Sequence, residues 1–109
     1  SNARKLAKQK GMEMVISNPC FELWYLLHFR YTTGFFKDYE AVRKLLTEHI
    51  PNYEKANDVF PILEEYVDVA VRRAKQLEEY HLKNGNMLPL GITVNPYTEV
   101  YHLIEAIVS

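Results

Sequence analysis

The sequence holds a single cysteine, Cys20, among 109 residues. No intrachain disulfide can form, and a reducing cytoplasm is the natural setting. Charge of one sign is missing too: 13 Lys and Arg face 14 Asp and Glu, for a net charge of -1. That balance gives no overall electrostatic footprint for nucleic acid, so a phosphate-binding field has to be local or supplied from elsewhere. No apolar run is long enough to cross a bilayer, and no signal-peptide pattern is present, so no membrane association is expected. Only 4 glycines occur, with no Gly-x-Gly-x-x-Gly or Walker loop to cradle phosphate. Cysteine pairs, a His-Glu-x-x-His run and a calcium loop are absent, and His28, His49, His81 and His102 are scattered. Repeats and low-complexity tracts are absent as well.

What remains can build one modest core, since 48% of the residues are hydrophobic. Ser1-Asn2-Ala3 resembles the scar left by removal of an expression tag and is set aside, leaving residues 4–109 as a single domain. Arg4 to Lys10 reads as the basic tail of a helix stopped by Gly11. Met12 to Ser17 reads as a short strand with no evident partner nearby.

The densest signal is Ile16 to Phe29. Asn18 can cap a helix, and Pro19 suits the first helical position because its missing N–H costs nothing there. From Pro19 to about Phe29 apolar and aromatic residues fill nearly every side, so this helix should be buried. Glu22 stands inside it, with Tyr25, Leu26 and Phe29 as its i+3, i+4 and i+7 neighbours. A buried carboxylate is costly unless a cation, a metal or hydrogen bonds hold it, which makes Glu22 the first candidate for chemistry. The alternative is an acid in the first helical turn, favoured by the helix dipole. His28 lies about 120° around the helix from Glu22, so the two do not share a face. Cys20 reads as packing, because no His or Asp is spaced to make it a nucleophile. Trp24 and Tyr25 read as core.

Arg30 to Lys37 is a loop with exposed-looking aromatics. Asp38 caps a second helix to about His49, and Pro51 follows it. A long helix runs from about Pro61 to Lys83, with Leu63, Tyr66, Val67, Ala70, Ala74, Leu77 and Tyr80 as its buried stripe. Its solvated side carries Asp68–Arg72, Lys75–Glu79 and Glu79–Lys83 at i,i+4. Asn84-Gly85-Asn86 stops it. Met87 to Val94 is extended, and a last helix starts near Asn95-Pro96 or Thr98 and buries Val100, Leu103, Ile104 and Ile107. The helix–strand–helix rhythm is that of an α/β crossover.

Ser17, Asn18, Pro19, Phe21, Glu22, Trp24, Leu26, His28 and Phe29 together resemble the signature of the RloB-like family. The resemblance continues through Tyr53-Glu54-Lys55, the helix with Ala70 and Ala74, and Asn95-Pro96-x-Thr98-x-Val100-Tyr101-x-Leu103. It implies a Toprim-related, metal-dependent nuclease linked to restriction-modification and abortive phage-infection loci, often beside an ATPase partner. It also implies an upstream half with an early glutamate and an Asp-x-Asp pair. Residues 1–16 contain no Asp and only Glu13, so the chain is expected to be the C-terminal, mostly helical part of a Toprim-like α/β domain. About four helices and one or two short strands are expected.

By the resemblance, Mg²⁺ or Mn²⁺ would be held mainly by upstream acids, with Glu22 as a ligand. Lys55 and His28 would be helpers, and Asn18, Pro19, Phe21 and Trp24 the scaffold of the site. The substrate would be DNA or RNA, and the fragment alone should be inactive. The alternative is a non-catalytic module. Asp38 to Val108 would then dock an ATPase or form a homodimer, with the loop Tyr31 to Phe36 in the contact.

Overall fold

The computed structural model describes residues 15–54, 58–88, 90 and 94–108. Their elements are β1 (Ser17–Asn18), α1 (Glu22–Leu27), α2 (Tyr39–Leu46), α3 (Phe60–Leu63), a 3-10 turn (Glu64–Tyr66), α4 (Val67–Lys83), β2 (Tyr97–Thr98) and α5 (Val100–Val108). The fold is mixed α/β and mostly helical. No helix among the described residues is long and apolar enough to cross a membrane.

All six residues of α1 are buried, as its all-round apolar pattern requires. It packs against α2 on one side and α4 on the other. Trp24, Tyr25 and Leu27 join Leu46, Ile50, Tyr53, Leu63 and Leu77 in the main core. Leu23 and Leu26 meet Phe36 and Val42 in a second cluster. On α4 the side facing this core carries Ala70 and Ala74, which have no side chain beyond Cβ. Arg73 follows the same face and donates from Nη1 to the Leu27 carbonyl at 2.9 Å, satisfying an acceptor at the open end of α1.

The Asp38 cap forms as expected, its Oδ1 accepting from the Ala41 N–H at 3.0 Å. The stop after α4 forms as well. Gly85 sits at φ +97°, its N–H bonds the Leu82 carbonyl and the Asn86 N–H bonds the His81 carbonyl, a Schellman arrangement that needs a residue free to adopt that φ.

Several expectations are corrected. Asn18 does not cap α1: the cap position is Phe21, without a side-chain bond, and Pro19 lies before the helix. The Asn18 amide instead donates to the Val94 carbonyl at 3.0 Å, because the segment around it is a strand. The strand has a partner within the chain, since β1 pairs antiparallel with β2, Ser17 opposite Thr98 and Asn18 opposite Tyr97. The expected helix from Pro61 to Lys83 begins at Phe60 and is interrupted by the 3-10 turn. Three residues at three per turn shift the helical phase, so Tyr66 faces outward. Tyr80 is exposed too, and His81 is buried in its place, its Nε2 donating to the Pro96 carbonyl at 2.5 Å. Finally, Phe36 is core rather than surface. Of the expected ion pairs on α4, Lys75 goes instead to Glu105 on α5, at 2.6 Å.

The last helix starts at Val100, with the Thr98 hydroxyl accepting from its N–H at 3.3 Å, so the later of the two expected starts is the one used. The basic run Arg4 to Lys10, residues 12–14 of the expected strand and the Ile107 side chain lie outside the described residues.

Candidate functional site

Glu22 is the first residue of α1 and is 4% exposed. Tyr53 donates its phenol to Glu22 Oε2 at 2.9 Å. The tyrosine is aimed by a tight turn. The Tyr53 N–H bonds the Ile50 carbonyl at 3.1 Å, with Pro51 and Asn52 between them and Asn52 at φ +65°. Proline then a left-handed Asn is the signature of a type II turn. Burial, then the bond to Glu22, pushes the Tyr53 phenol far above its usual range, so it stays a donor. Its ring meets Tyr25 edge-on at 6.1 Å, and Tyr25 meets Phe21 at 5.0 Å.

Two further groups feel the Glu22 charge. Burial and then Glu22 push the Cys20 thiol up to about 11. Any lowering expected from a helix start is overcome, and the thiol is inert packing at neutral pH. Burial and then Glu22 also raise the Tyr39 phenol. A cavity of about 310 Å³ lies over this cluster, lined by Tyr39, Glu40, Arg43, Tyr53 and Glu54. Arg43 is held by Glu40 at 3.0 Å. The site is therefore a buried carboxylate whose phenol partner forms part of the wall of a polar cavity.

His28 is not part of it. Its Nδ1–H donates to the Trp24 carbonyl at 2.9 Å, and its ring stands edge-on to Trp24 at 4.8 Å. Burial lowers its pKa to about 4, so it is neutral at neutral pH and fixed in the helix. Trp24 is core, and Phe21 packs at its margin. Lys55 lies outside the described residues. Tyr53 is the partner that patterning along the chain does not single out, although Pro51-Asn52 marks the turn that delivers it.

A divalent ion needs several oxygen donors. Among the described residues no group of three His, Cys, Asp or Glu side chains could hold a metal ion. Glu22 alone does not make a metal centre.

Asn18 and Asn95 brace the surroundings. The Asn95 Nδ2 donates to the Phe36 carbonyl at 2.8 Å, and the Phe36 N–H donates to Asn95 Oδ1 at 3.1 Å. One side chain thus clamps the 30–37 loop as a strand partner would, with Phe36 in the core and Phe35 outside at 74% exposure.

Comparison with curated proteins and with solved structures finds no match. The model of one protein family, described as RloB-like protein, matches residues 1–107. With nearly its whole length matched, the chain belongs to the RloB-like family.

Proposed function

We propose that this chain is part of a Toprim-type nuclease that hydrolyses phosphodiester bonds in phage defence. The observation that carries the reading is Glu22, a carboxylate in the family's signature run, almost wholly buried and held by a phenol beside a polar cavity. Burial of an acid costs free energy that packing alone does not return, so a retained acid of this kind suits a functional centre. The role of Tyr53 is to fix one carboxylate oxygen, as groups around a metal ligand do. Mg²⁺ or Mn²⁺ would supply charge neutralisation at the phosphate and a nucleophilic water. Acids additional to Glu22 would have to come from outside the described residues. Lys55 is a candidate counter-charge. The substrate would be DNA or RNA, an ATPase the partner, and the cytoplasm the setting for a chain with one cysteine.

The test is cleavage of a panel of DNA and RNA with Mg²⁺ or Mn²⁺, using the full protein with any co-purifying partner, beside Glu22→Gln. Metal-dependent cleavage that the variant loses while remaining folded supports the reading. Equal activity in both makes Glu22 structural.

A second reading, an interaction module that docks an ATPase or mediates dimerisation, is favoured by Phe35. A ring left 74% exposed on a loop clamped by Asn95 suits a contact surface. Phe35→Ser is the clean probe, since Phe36 belongs to the core. Loss of complex formation with nuclease activity retained supports this reading, and unchanged assembly counts against it.

A further inference from the structure

A second cavity, sharing no residue with the one over Tyr53, lies along α5 and has a volume of about 660 Å³. That is within the size range of ligand sites. Its walls are apolar: Val15, Leu88, Leu90 and Leu103. Met87 and Leu88 extend the apolar surface outward, at 82% and 63% exposure. Adjacent exposed side chains of this kind are spare surface for a monomer but useful surface for a partner.

One end of the groove is polar and carries acid. Tyr97 donates its phenol to Glu99 Oε2 at 3.1 Å. Glu78, behind it on α4, accepts from the Tyr101 phenol at 2.7 Å and from His102 Nε2 at 3.1 Å. Both carboxylates act on the Tyr97 phenol, which burial first and then these charges hold well above its ordinary range. Among the described residues, Lys75 on α4 is paired with Glu105 at 2.6 Å. Among the described residues, Glu99 is the carboxylate that lines this end of the groove, with Glu78 behind it held by Tyr101 and His102, so the end carries more acid than base.

We propose that this groove docks a basic amphipathic segment of a partner protein, with apolar side chains along Val15, Leu88 and Leu103 and a Lys or Arg at Glu99. Charge complementarity selects the partner: an acidic segment would meet like charge, and a neutral one would leave the carboxylate uncompensated. A helix laid into an apolar groove is a recurring mode of such recognition.

The probe is a fluorescein-labelled synthetic helix of Leu and Lys in amphipathic order, with a Leu and Glu counterpart, titrated with the full chain by fluorescence anisotropy. The Leu/Lys helix should bind at least about tenfold more tightly than its acidic counterpart. Leu88→Ser, at an exposed site that leaves the core intact, should weaken binding about tenfold. Glu99→Gln keeps an acceptor for Tyr97 and should weaken binding about threefold while flattening its salt dependence. Equal binding of the two helices, no binding of either, or indifference to Leu88→Ser overturns the proposal. So does sedimentation showing self-association that Leu88→Ser abolishes, because the occupant would then be a second copy.

Discussion

Tyr53→Phe removes one hydroxyl and almost no volume, so its effect isolates the bond to Glu22 Oε2. A buried hydrogen bond to a charged group contributes about 1.5–3 kcal/mol, and the loss should fall in that range. Glu22→Leu removes the other half and leaves the phenol buried without this acceptor, at a cost of about 1–3 kcal/mol. With both changes together the apolar pair needs no partner, so the double variant should lose clearly less than the sum. The coupling expected from the cycle is about 2 kcal/mol. Urea unfolding followed by Trp24 fluorescence reads it: with a slope of about 1–3 kcal/mol/M, each single change should lower the midpoint by about 1 M. Additivity within about 0.5 kcal/mol would refute the claim that carboxylate and phenol act as one unit, and would remove the physical basis for treating Tyr53 as the residue that positions Glu22.

Lowering the pH should test His28. Its folded pKa is about 4 against an ordinary 6.5, so the unfolded chain takes up the proton first. The contribution is full above pH 6.5 and is lost as pH falls toward 4, by about 3 kcal/mol; His28→Gln should flatten that part of the pH–stability curve. Cys20, with its thiol at about 11, should react with iodoacetamide at pH 8 about a hundredfold more slowly in the folded protein than in denaturant. Comparable rates in the two states would show the thiol to be more ionised than its surroundings imply. Asn95→Ala removes both bonds to the Phe36 backbone and should cost about 2 kcal/mol, with faster hydrogen exchange at the Phe36 amide; unchanged exchange would mean that the loop is held by its ring alone.

Much of the helical frame was legible because its signals are local. Asp38 precedes an amphipathic run, Gly85 lies between two asparagines at a helix end, and an all-round apolar α1 has nowhere to go but the interior. Burial of Glu22 follows from the same pattern. The two-residue strands carry no period that a sequence could display, and their pairing spans 81 positions between Ser17 and Thr98. Asn18 fits a helix cap by its local sequence, but the amide that caps helices also bridges loops, and nothing local decides between them. Phe35 and Phe36 are chemically identical neighbours, and their opposite fates depend on Asn95, which lies 59 positions from Phe36. Tyr53 becomes a site residue only across 31 positions, through a turn whose Pro-Asn pair marks the bend but not the target.

The short segment from Val94 to Thr98 bonds to the beginning of the described chain and to the loop after α1: Asn18 reaches Val94, Phe36 reaches Asn95, and Ser17 reaches Thr98. In synthesis from the ribosome, the signature helix therefore emerges long before the strand that latches its flanks. During that interval α1, whose every side is built for burial, is a natural client for a chaperone, and a nascent chain halted before residue 94 should be much more open to protease than one halted after α5 has cleared the exit tunnel.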